Sequence, residues 1–361
     1  MSVSKACLGK PLSDKSVQFD ELKQEAIKLC GWGKETFPGS QPVSLTRRNL
    51  VQIARTPYVV CEKSDGERFM LLHFKGASYV FDRRFNFHKI TLSSVFGSSD
   101  TTTLLDGELV EDEVKGVRYL VYDAVTIDGQ SVRELPLLRR LEGVLKKVLS
   151  VKESKSDTFP VFVKDFFDVK HSSFVVNLSR RLPHYSDGLI FTPARDPYLP
   201  GTCHKLLKWK PKELNTIDFV LELVMGITTA QFHGKLLSAE AGVQTFKGVW
   251  LAREGPMWQW LCDNTHRANG RVVECGWDPN IHTFVPTSKV EYVEEGYWTD
   301  GGWVLHRIRE DRSTPNDVNV VEKVKASIAD GLSLDDVHSV LANVESISKR
   351  SSNNHKRHRT S

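Results

Sequence analysis

Regularly spaced cysteines are absent from the sequence. It has six cysteines, and no two of them form a CxxC pair. A disulfide framework and a cysteine-ligated zinc site are therefore not expected, and a reducing compartment fits best. The sequence also lacks an apolar run of the ~20 residues that span a bilayer, and its first ten residues lack the apolar core of a signal peptide. We expect a soluble, intracellular protein.

An excess of charge of one sign is also absent from most of the chain. The formal net charge is +4, but residues 349–361 carry five Lys or Arg and no acid, and subtracting these five leaves −1 for residues 1–348. A basic body that binds nucleic acid indiscriminately is therefore excluded. The tail is either a disordered, solvated terminus or a segment for RNA contact or nuclear localisation.

The patterns that are present predict a mixed fold. A chain of 361 residues is long enough for two domains, since a typical domain has ~100–200 residues. Residues 19–30 predict a helix that ends at Gly31, and residues 135–149 predict another. Strand patterns dominate between them and after them, including the segment VFVKDFF. This mixture indicates an α+β fold with antiparallel sheets and flanking helices.

The composition changes near residues 211–215. From Ile217 to about Asp300 the pattern is of short strands separated by glycines, with six tryptophans from Trp250 to Trp303, which indicates a small β-barrel. The tryptophans either pack in its core or stack on nucleic-acid bases. Two helices are predicted after Asn316. We therefore predict domains at 1–214 and 215–317, C-terminal helices at 318–348 and a basic tail at 349–361.

A lysine in the order Lys-x-Asp-Gly, Lys63-Ser64-Asp65-Gly66, follows the apolar run PYVV. Lys63 is either a salt-bridge residue or a nucleophile. Free lysine has a pKa of about 10.4 and is only about 0.04% neutral at pH 7, so a nucleophilic lysine needs help from neighbouring cations. Lys208 and Lys210 alternate along LLKWKP and would point to one face of a strand. Such a pair binds phosphate, or it is the solvent face of a strand.

Three acids complete the candidate chemistry. Asp65 follows the lysine, Glu108 lies in LLDGELV and Asp187 lies in SDGLIF. Carboxylates of this kind hold Mg²⁺ beside a triphosphate, whereas each Asp-Gly pair taken alone is a turn signal. The chain has five candidate segments in the order KSDG, DGE, DGLIF, KWK and RIREDR. This order favours a role in binding metal and phosphate over a role as simple turn residues.

These five segments resemble the motifs of the covalent nucleotidyltransferases, which comprise mRNA capping guanylyltransferases and ATP-dependent polynucleotide ligases. The loop FPGSQPVSL, the segment LLKWKP and the run from Arg307 to Asn316 look like the capping enzymes in particular. Arg312 stands where that family usually has lysine, which keeps the charge but changes the hydrogen-bonding geometry.

The resemblance implies an architecture and a reaction. The fold would be a nucleotidyltransferase domain of antiparallel sheets followed by an OB-fold lid. Lys63 would attack the α-phosphorus of GTP, release pyrophosphate and form a lysine-GMP phosphoramidate, and the 5′-diphosphate end of RNA would then take the GMP. The lid would close over the nucleotide for the first step and reopen for RNA. Mg²⁺, or Mn²⁺, would be the metal ion.

The resemblance also assigns roles to residues. Tyr122 would stack on the purine, or it packs in the core. Asp82 and Arg83 would contact the nucleotide, or they form an exposed ion pair. Glu108 and Asp187 would hold the metal. The nucleotide-binding set as a whole is Arg68, Asp82, Arg83, Glu108, Tyr122, Asp187, Lys208, Lys210, Arg307, Arg309, Asp311 and Arg312.

Partners follow from the same resemblance. No segment looks like the HCxxxxxR phosphatase loop of bifunctional animal capping enzymes, so a monofunctional enzyme is expected. Its RNA triphosphatase and cap methyltransferase would be separate proteins, and the phosphorylated tail of RNA polymerase II would be a partner in the nucleus. Two rival functions are an ATP-dependent polynucleotide ligase that forms lysine-AMP and a non-catalytic OB-type nucleic-acid-binding protein.

Overall fold

The computed structural model describes residues 5–92, 100–113, 116–147, 156–225, 232–287 and 295–342. Within these ranges no helix has both the length and the apolar character to cross a membrane. The α-helices are α1 Val17–Cys30, α2 Val51–Arg55, α3 Leu137–Lys147, α4 Ser172–Ser179, α5 Trp258–Asp263, α6 Thr265–Ala268, α7 Val318–Asp330 and α8, described over 334–342. Short 3₁₀ helices are Lys5–Leu8, Val169–His171 and Lys212–Leu214.

Seventeen strands are described in these ranges. They are β1 Gln41–Ser44, β2 Tyr58–Ser64, β3 Glu67–Phe74, β4 Ala77–Phe81, β5 Phe87–Ile90, β6 Thr103–Asp112, β7 Gly116–Ile127, β8 Gln130–Ser131, β9 Val161–Val163, β10 Phe167–Asp168, β11 Ser186–Pro193, β12 Thr202–Trp209, β13 Thr216–Met225, β14 Phe232–Glu240, β15 Val243–Trp250, β16 Val272–Pro286 and β17 Gly296–Ile308.

The chain forms two compact units. The first comprises the residues up to Trp209 and those from Ser333 onward, and the second is Lys210–Leu332. Helix α7, which we assigned to a separate C-terminal segment, belongs to the second unit. The domain boundaries drawn from the sequence stay predictions, and the tail at 349–361 lies outside the described residues.

Helix α1 confirms the first predicted helix. The side chain of Ser16 caps its start by accepting a hydrogen bond from the Phe19 N–H at 3.2 Å. Gly31 ends it in the left-handed conformation, with φ of 63°. The buried residues Leu22 and Ala26 lie four apart, on the face that packs against apolar residues of β3 and β4. The second predicted helix is confirmed as α3, and residues 148 and 149 lie outside the described ranges.

Two sheets form the first unit, in agreement with the predicted antiparallel α+β fold. One has the order β1-β12-β11-β2-β10, and the other has the order β5-β4-β3-β6-β7-β8 with β9 beside β7. Only the β1–β12 and β7–β9 pairs are parallel. The turn between β3 and β4 falls at Lys75-Gly76, and both residues have positive φ.

The second of these sheets is buried on both faces. Successive strand residues point to opposite faces, and Met70 and Leu72 pack in one apolar cluster while Leu71 packs in another. This double burial explains why β3 is an almost continuous apolar run instead of an alternating one.

One strand prediction in this unit is wrong. The segment VFVKDFF was expected to be a single strand, but it forms β9 and β10 with residues 164–166 between them. The Lys164 N–H still donates to the Val121 carbonyl oxygen of β7 at 2.9 Å, and its side chain turns into the protein, where Nζ donates to the Glu62 carbonyl oxygen at 2.6 Å.

The second unit is one five-stranded antiparallel sheet, in the order β15-β14-β13-β16-β17. Its two edges meet at a bridge between Leu251 and Trp303, so the sheet curls as the predicted OB-fold requires. The expectation of short strands is wrong for β16 and β17, which run for 15 and 13 residues. Bulges near Cys275 and His282 bend this pair, so long strands can follow the curve.

The tryptophans of this sheet mostly pack as core residues. Trp303 is buried, and Trp258, Trp260 and Trp277 pack against the core. Trp298 differs, because it is 61% exposed on the β16–β17 hairpin.

A buried ion pair between helix α3 and strand β7 supplies a stability test. Arg140 donates from Nε and Nη2 to the two carboxylate oxygens of Asp123 at 2.6 and 2.9 Å, and its side chain is 2% exposed. Arg140→Ala should lower the free energy of unfolding by about 3–5 kcal/mol, because Asp123 would remain buried without its cation. Arg139→Ala breaks only the exposed pair with Glu142 and should cost less than about 1 kcal/mol. Urea unfolding measures both, and similar losses would contradict the assignment.

Candidate active site

Lys63 lies near the end of β2, opposite Gly188 of β11. The pairing of these strands shifts between Ser186 and Gly188, so Asp187 is the extra residue of a bulge. Bulges re-aim side chains, and here Lys63 Nζ donates to Asp187 Oδ1 at 2.7 Å. The Lys63 side chain remains 23% exposed. The lysine is therefore both a salt-bridge residue and reachable from outside.

Lys63 opens onto a cleft of the first unit, which we call the cleft below. Predicted site residues that line it are Lys63, Arg68, Arg83, Glu108 and Tyr122. Its other walls include Ser40, Lys164, Ile190 and Tyr198. A concave site with apolar walls and a few convergent charged groups is typical of a small-molecule site.

A fully buried carboxylate, that of Asp106, organises the inner part of the cleft. Arg68 donates to it from Nε and Nη2 at 3.0 and 2.5 Å. The hydroxyl groups of Tyr122 and Tyr198 donate to it at 2.9 and 2.6 Å. The Arg68 guanidinium also lies 5.1 Å from the ring centre of Phe37. Arg68 and Tyr122 are therefore held by a common acid on the cleft wall.

Tyr122 was predicted either to stack on a purine or to pack in the core, and its position is compatible with both. Its hydroxyl group is engaged in the protein by Asp106, yet its side chain is only half-buried and lines the cleft. A ring in this position can pack on protein at its edge and offer a face to a ligand.

The Glu108 carboxyl group lies at the cleft without a hydrogen-bond or ion-pair partner among the residues that the structure describes. Burial raises its pKa to about 7, even though two lysines and two arginines nearby act to lower it. It is the cleft's unsatisfied anion, and a cation placed next to it would be stabilised.

A second buried network supports the strand that carries Lys63. Lys164 donates to the Glu62 carbonyl oxygen and to Ser64 Oγ, at 2.6 and 2.9 Å, so it contacts both chain neighbours of Lys63. Burial raises the pKa of Glu62, but the charge of Lys164 and the hydrogen bond from His184 outweigh it and bring the pKa to about 2. Lys164, which is paired with Glu62, thus holds the backbone on both sides of Lys63 in place.

Other predicted site residues lie apart from these contacts. Lys208 is exposed and Trp209 is buried, which is the alternation that the sequence predicts. Lys208 pairs with Ile190 of β11, so β11 lies between the strand of Lys208 and β2. Lys210 is half-buried and begins the second unit. Asp82 accepts hydrogen bonds from the Arg84 N–H and from Asn86, and so caps the turn after β4.

The second unit holds its predicted arginines in ion pairs of its own. Arg309 Nη1 donates to both oxygens of Asp218 at 3.0 Å, and its Nε and Nη2 donate to Asp311 at 2.9 and 2.7 Å. Arg312 also donates to Asp218. The hydrogen bond from Arg309 lowers the pKa of Asp311 to about 2.

Arg307 is paired in the same region. Its Nε donates to Glu274 Oε2 at 2.6 Å, and Thr216 Oγ1 donates to the other oxygen of that acid at 2.7 Å. Burial raises the pKa of Glu274, but these two hydrogen bonds outweigh it and lower the pKa. An anionic ligand that binds these arginines would therefore have to replace carboxylates.

Sequence reasoning missed several residues that shape the cleft. Asp106 lies in the same DGE segment as Glu108, but only Glu108 was predicted to be a site residue. Lys164 could have been found as the single cation among the apolar residues of VFVKDFF. Tyr198 carries no local signal, because its role depends on a contact with Asp106, 92 residues away.

Comparison with known proteins agrees with these observations. The model of the mRNA capping enzyme catalytic domain matches residues 5–212, and that of the mRNA capping enzyme C-terminal domain matches residues 214–338. The chain is 34% identical over 346 residues to the mRNA-capping enzyme subunit alpha of Schizosaccharomyces pombe, covering 88% of this chain and 82% of that one. It is 32% identical over 338 residues to the mRNA-capping enzyme of Mus musculus, covering 86% of this chain and 51% of that one.

Among solved structures, one similar to this chain is a mycobacterial DNA ligase D complexed with ATP and MES. The sequence identity is 15%, the TM-score is 0.43, and the match covers 76% of this chain and 96% of that one. A likeness at this level supports no conclusion about fold or function.

The raised pKa of Glu108 predicts a pH-dependent stability difference. Between its unfolded pKa near 4.5 and its folded pKa of about 7, the native state binds more protons than the unfolded state, so stability falls as pH rises. Glu108→Gln should therefore gain stability relative to the unmodified protein from pH 5 to pH 8, by up to about 3 kcal/mol. Denaturant unfolding at several pH values measures this. A flat difference between Glu108→Gln and the unmodified protein across this pH range would refute the interpretation.

Proposed function

The chain belongs to the mRNA capping enzyme family, and we propose that it transfers GMP from GTP to the 5′-diphosphate end of RNA through a covalent bond to Lys63. The position of Lys63 is the observation that supports its assignment as the nucleophile. Its amine lies at the mouth of a cleft, close to a paired acid, and its backbone is fixed by Lys164. A nucleophile needs this combination of access and fixed position.

The first step of the reaction is attack on the α-phosphorus of GTP. The Lys63 ammonium gives up a proton, the N–P bond forms, and the bond to pyrophosphate breaks. Asp187 holds the amine in place before attack through its 2.7 Å hydrogen bond. In the second step, a terminal phosphate oxygen of RNA attacks the same phosphorus, the N–P bond breaks, and the lysine recovers its proton.

The nucleoside and the α-phosphate are assigned to different walls. Tyr122 would stack on the purine and Arg68 would lie at the ribose, supported by their common fixation on Asp106. Lys208 and Lys210 would bind the α-phosphate, supported by their alternation about the buried Trp209. Because phosphoryl transfer depends mostly on positioning and charge stabilisation, fixed cations account for much of the catalysis.

A second group of residues is assigned to the outer part of the nucleotide. Arg83, which lines the cleft beside the capped turn at Asp82, would contact the nucleotide from that side. Arg307, Arg309 and Arg312, with Asp311, would meet the β- and γ-phosphates, which are present only before pyrophosphate leaves. The guanidinium groups of Arg309 and Arg312, held together on Asp218, support this role because such groups bind phosphate once it displaces the carboxylate.

The donor set at the cleft fits a magnesium ion held mainly by the nucleotide. The described residues contain no group of three or more His, Cys, Asp or Glu that could hold a metal ion. Mg²⁺ usually takes only one or two protein carboxylates and fills its shell with phosphates and water. Glu108 offers such a carboxylate, with Asp187 as a second. When bound, the ion would neutralise charge on the phosphates.

Cellular roles follow from the family. Capping acts on messenger RNA, so we propose the nucleus as the site of action. A separate RNA triphosphatase would supply the diphosphate end, and the phosphorylated tail of RNA polymerase II would bring the enzyme to its RNA. A polynucleotide ligase that forms lysine-AMP is the alternative, and the choice between GTP and ATP in the labelling assay decides between them.

The nucleophile prediction tests the proposed function directly. The protein, incubated with Mg²⁺ and α-labelled GTP, should retain label after denaturation, in a bond that is labile to acid and stable to alkali. Lys63→Ala and Lys63→Arg should both lose all label, since a guanidinium group stays protonated. Lys205→Ala removes an exposed lysine from strand β12 and should label normally. Full labelling of Lys63→Ala would overturn the assignment.

The arginine prediction separates the two half-reactions. Arg309→Ala should reduce adduct formation by about 30- to 1,000-fold, the size of one charge-assisted phosphate contact made in the transition state. Transfer to RNA from protein loaded with GMP beforehand should change much less. Lys247→Ala, which breaks the exposed pair with Glu240 in the same unit, is the matched control. Normal adduct formation with loss of transfer alone would make Arg309 an RNA-end ligand instead.

A further inference from the structure

The hydroxyl group of Tyr198 joins two parts of the cleft wall. It accepts a hydrogen bond from the backbone N–H of Ser40 at 2.9 Å and donates to Asp106 Oδ2 at 2.6 Å. The residue is 3% exposed. Burial and the charge of Asp106 hold the pKa of this hydroxyl well above its usual value, so it keeps the proton that it donates.

The acid that Tyr198 contacts is the one that holds the nucleoside wall. Asp106 receives four hydrogen bonds, two from Arg68, one from Tyr122 and one from Tyr198. Since Asp106 is fully buried, it needs all of these donors to offset its desolvation. A change in the position of Tyr198 would therefore also change the positions of Arg68 and Tyr122, which donate to the same carboxylate.

The other partner, Ser40, precedes β1 of one sheet of the first unit, whereas Asp106 lies in β6 of the other sheet. The first residue of β1, Gln41, is tied to the Gly201 carbonyl oxygen at 2.7 Å. Tyr198 itself is fixed through its backbone N–H, which donates to the Arg133 carbonyl oxygen at 2.8 Å. Ser40, Tyr122 and Tyr198 all line the cleft.

We propose that Tyr198 is a positioning residue for nucleotide binding. Its hydroxyl group ties the loop at Ser40 to the Asp106 carboxylate and so sets the width of the part of the cleft that receives the nucleoside of GTP. This inference rests on the proposed function and deepens it. Tyr198 makes no contact with Lys63 or Asp187 among the hydrogen bonds of the described residues, so it acts on binding and leaves the reacting atoms in place.

Tyr198→Phe tests the inference, because it keeps the ring and removes only the hydroxyl group. The variant loses both hydrogen bonds of this hydroxyl group. The GTP concentration for half-maximal adduct formation should rise at least about tenfold, because the lost bond to the charged Asp106 alone is of that size. The maximal rate of adduct formation should stay within about twofold. In a Lys63→Ala background, calorimetry should show the same weakening for GTP and GMP and no change for pyrophosphate.

Tyr79→Phe is the matched control. Tyr79 is also buried, and its hydroxyl group accepts a hydrogen bond from Gln18 away from the cleft. Tyr79→Phe can lose stability, but its GTP concentration for half-maximal adduct formation should equal that of the unmodified protein. Ser40→Pro is a second variant that removes only the Ser40 N–H donor and leaves the bond from Tyr198 to Asp106 in place. It should weaken GTP binding by a smaller factor than Tyr198→Phe, and it gives a test even if Tyr198→Phe fails to fold.

The outcomes are distinct. A Tyr198→Phe protein that matches Tyr79→Phe in GTP dependence, while the unmodified protein still forms the adduct, overturns the positioning role alone. Equal weakening of pyrophosphate and GMP also overturns it, because the effect would then be general. If the unmodified protein itself forms no adduct with GTP, the proposed function fails and this inference fails with it.

Discussion

The cleft depends on one physical requirement, which is that the buried charge of Asp106 must be compensated. A carboxylate taken out of water is strongly destabilising unless donors surround it. Here the donors come from β3, β7 and the segment before β12, in the form of Arg68, Tyr122 and Tyr198. Satisfying one buried acid therefore brings three separate parts of the chain to fixed positions. The cleft wall is a consequence of that arrangement.

Lys63 is held by different contacts from those that surround Asp106. Strand pairing with β11 and the Lys164 contacts behind it place the backbone of Lys63, while the Asp187 bulge supplies the partner of its side chain. Because Lys63 makes no hydrogen bond to Asp106 among the described residues, the amine can exchange its partner without disturbing the donors around Asp106. In the proposed reaction, this combination would keep the nucleoside in place while the amine leaves Asp187 for phosphorus.

Much of the fold could be predicted from the sequence. Strand patterns indicated the antiparallel α+β fold and Gly31 indicated the end of α1, because these features depend on neighbouring residues. Of the candidate site, Lys63, Arg68 and Glu108 could be selected from the sequence, and they line one cleft. The role of Tyr198 and the partners of Arg309 could not be predicted. They depend on contacts across 92 and 91 residues, and no local pattern encodes such pairs.

The misjudged segments have the same explanation. VFVKDFF has the composition of one strand, but its two ends pair in different sheets, β9 with β7 and β10 with β2. Strands β16 and β17 were expected to be short because glycine usually ends strands, yet bulges let the paired chains bend and continue. In each case tertiary contacts outweighed local preference.

The acid partners of the second unit's arginines have a consequence for how a nucleotide can be recognised. Arg309 is already satisfied by Asp218 and Asp311, so a phosphate must compete with carboxylates instead of filling an empty site. The exchange of one anion for another releases little net energy, which limits the affinity for any single phosphate. It also keeps the arginines ordered, so that little side-chain entropy is lost when the exchange occurs. Such a site favours a ligand with several phosphates in a row over isolated anions, and a nucleoside triphosphate is a ligand of that kind.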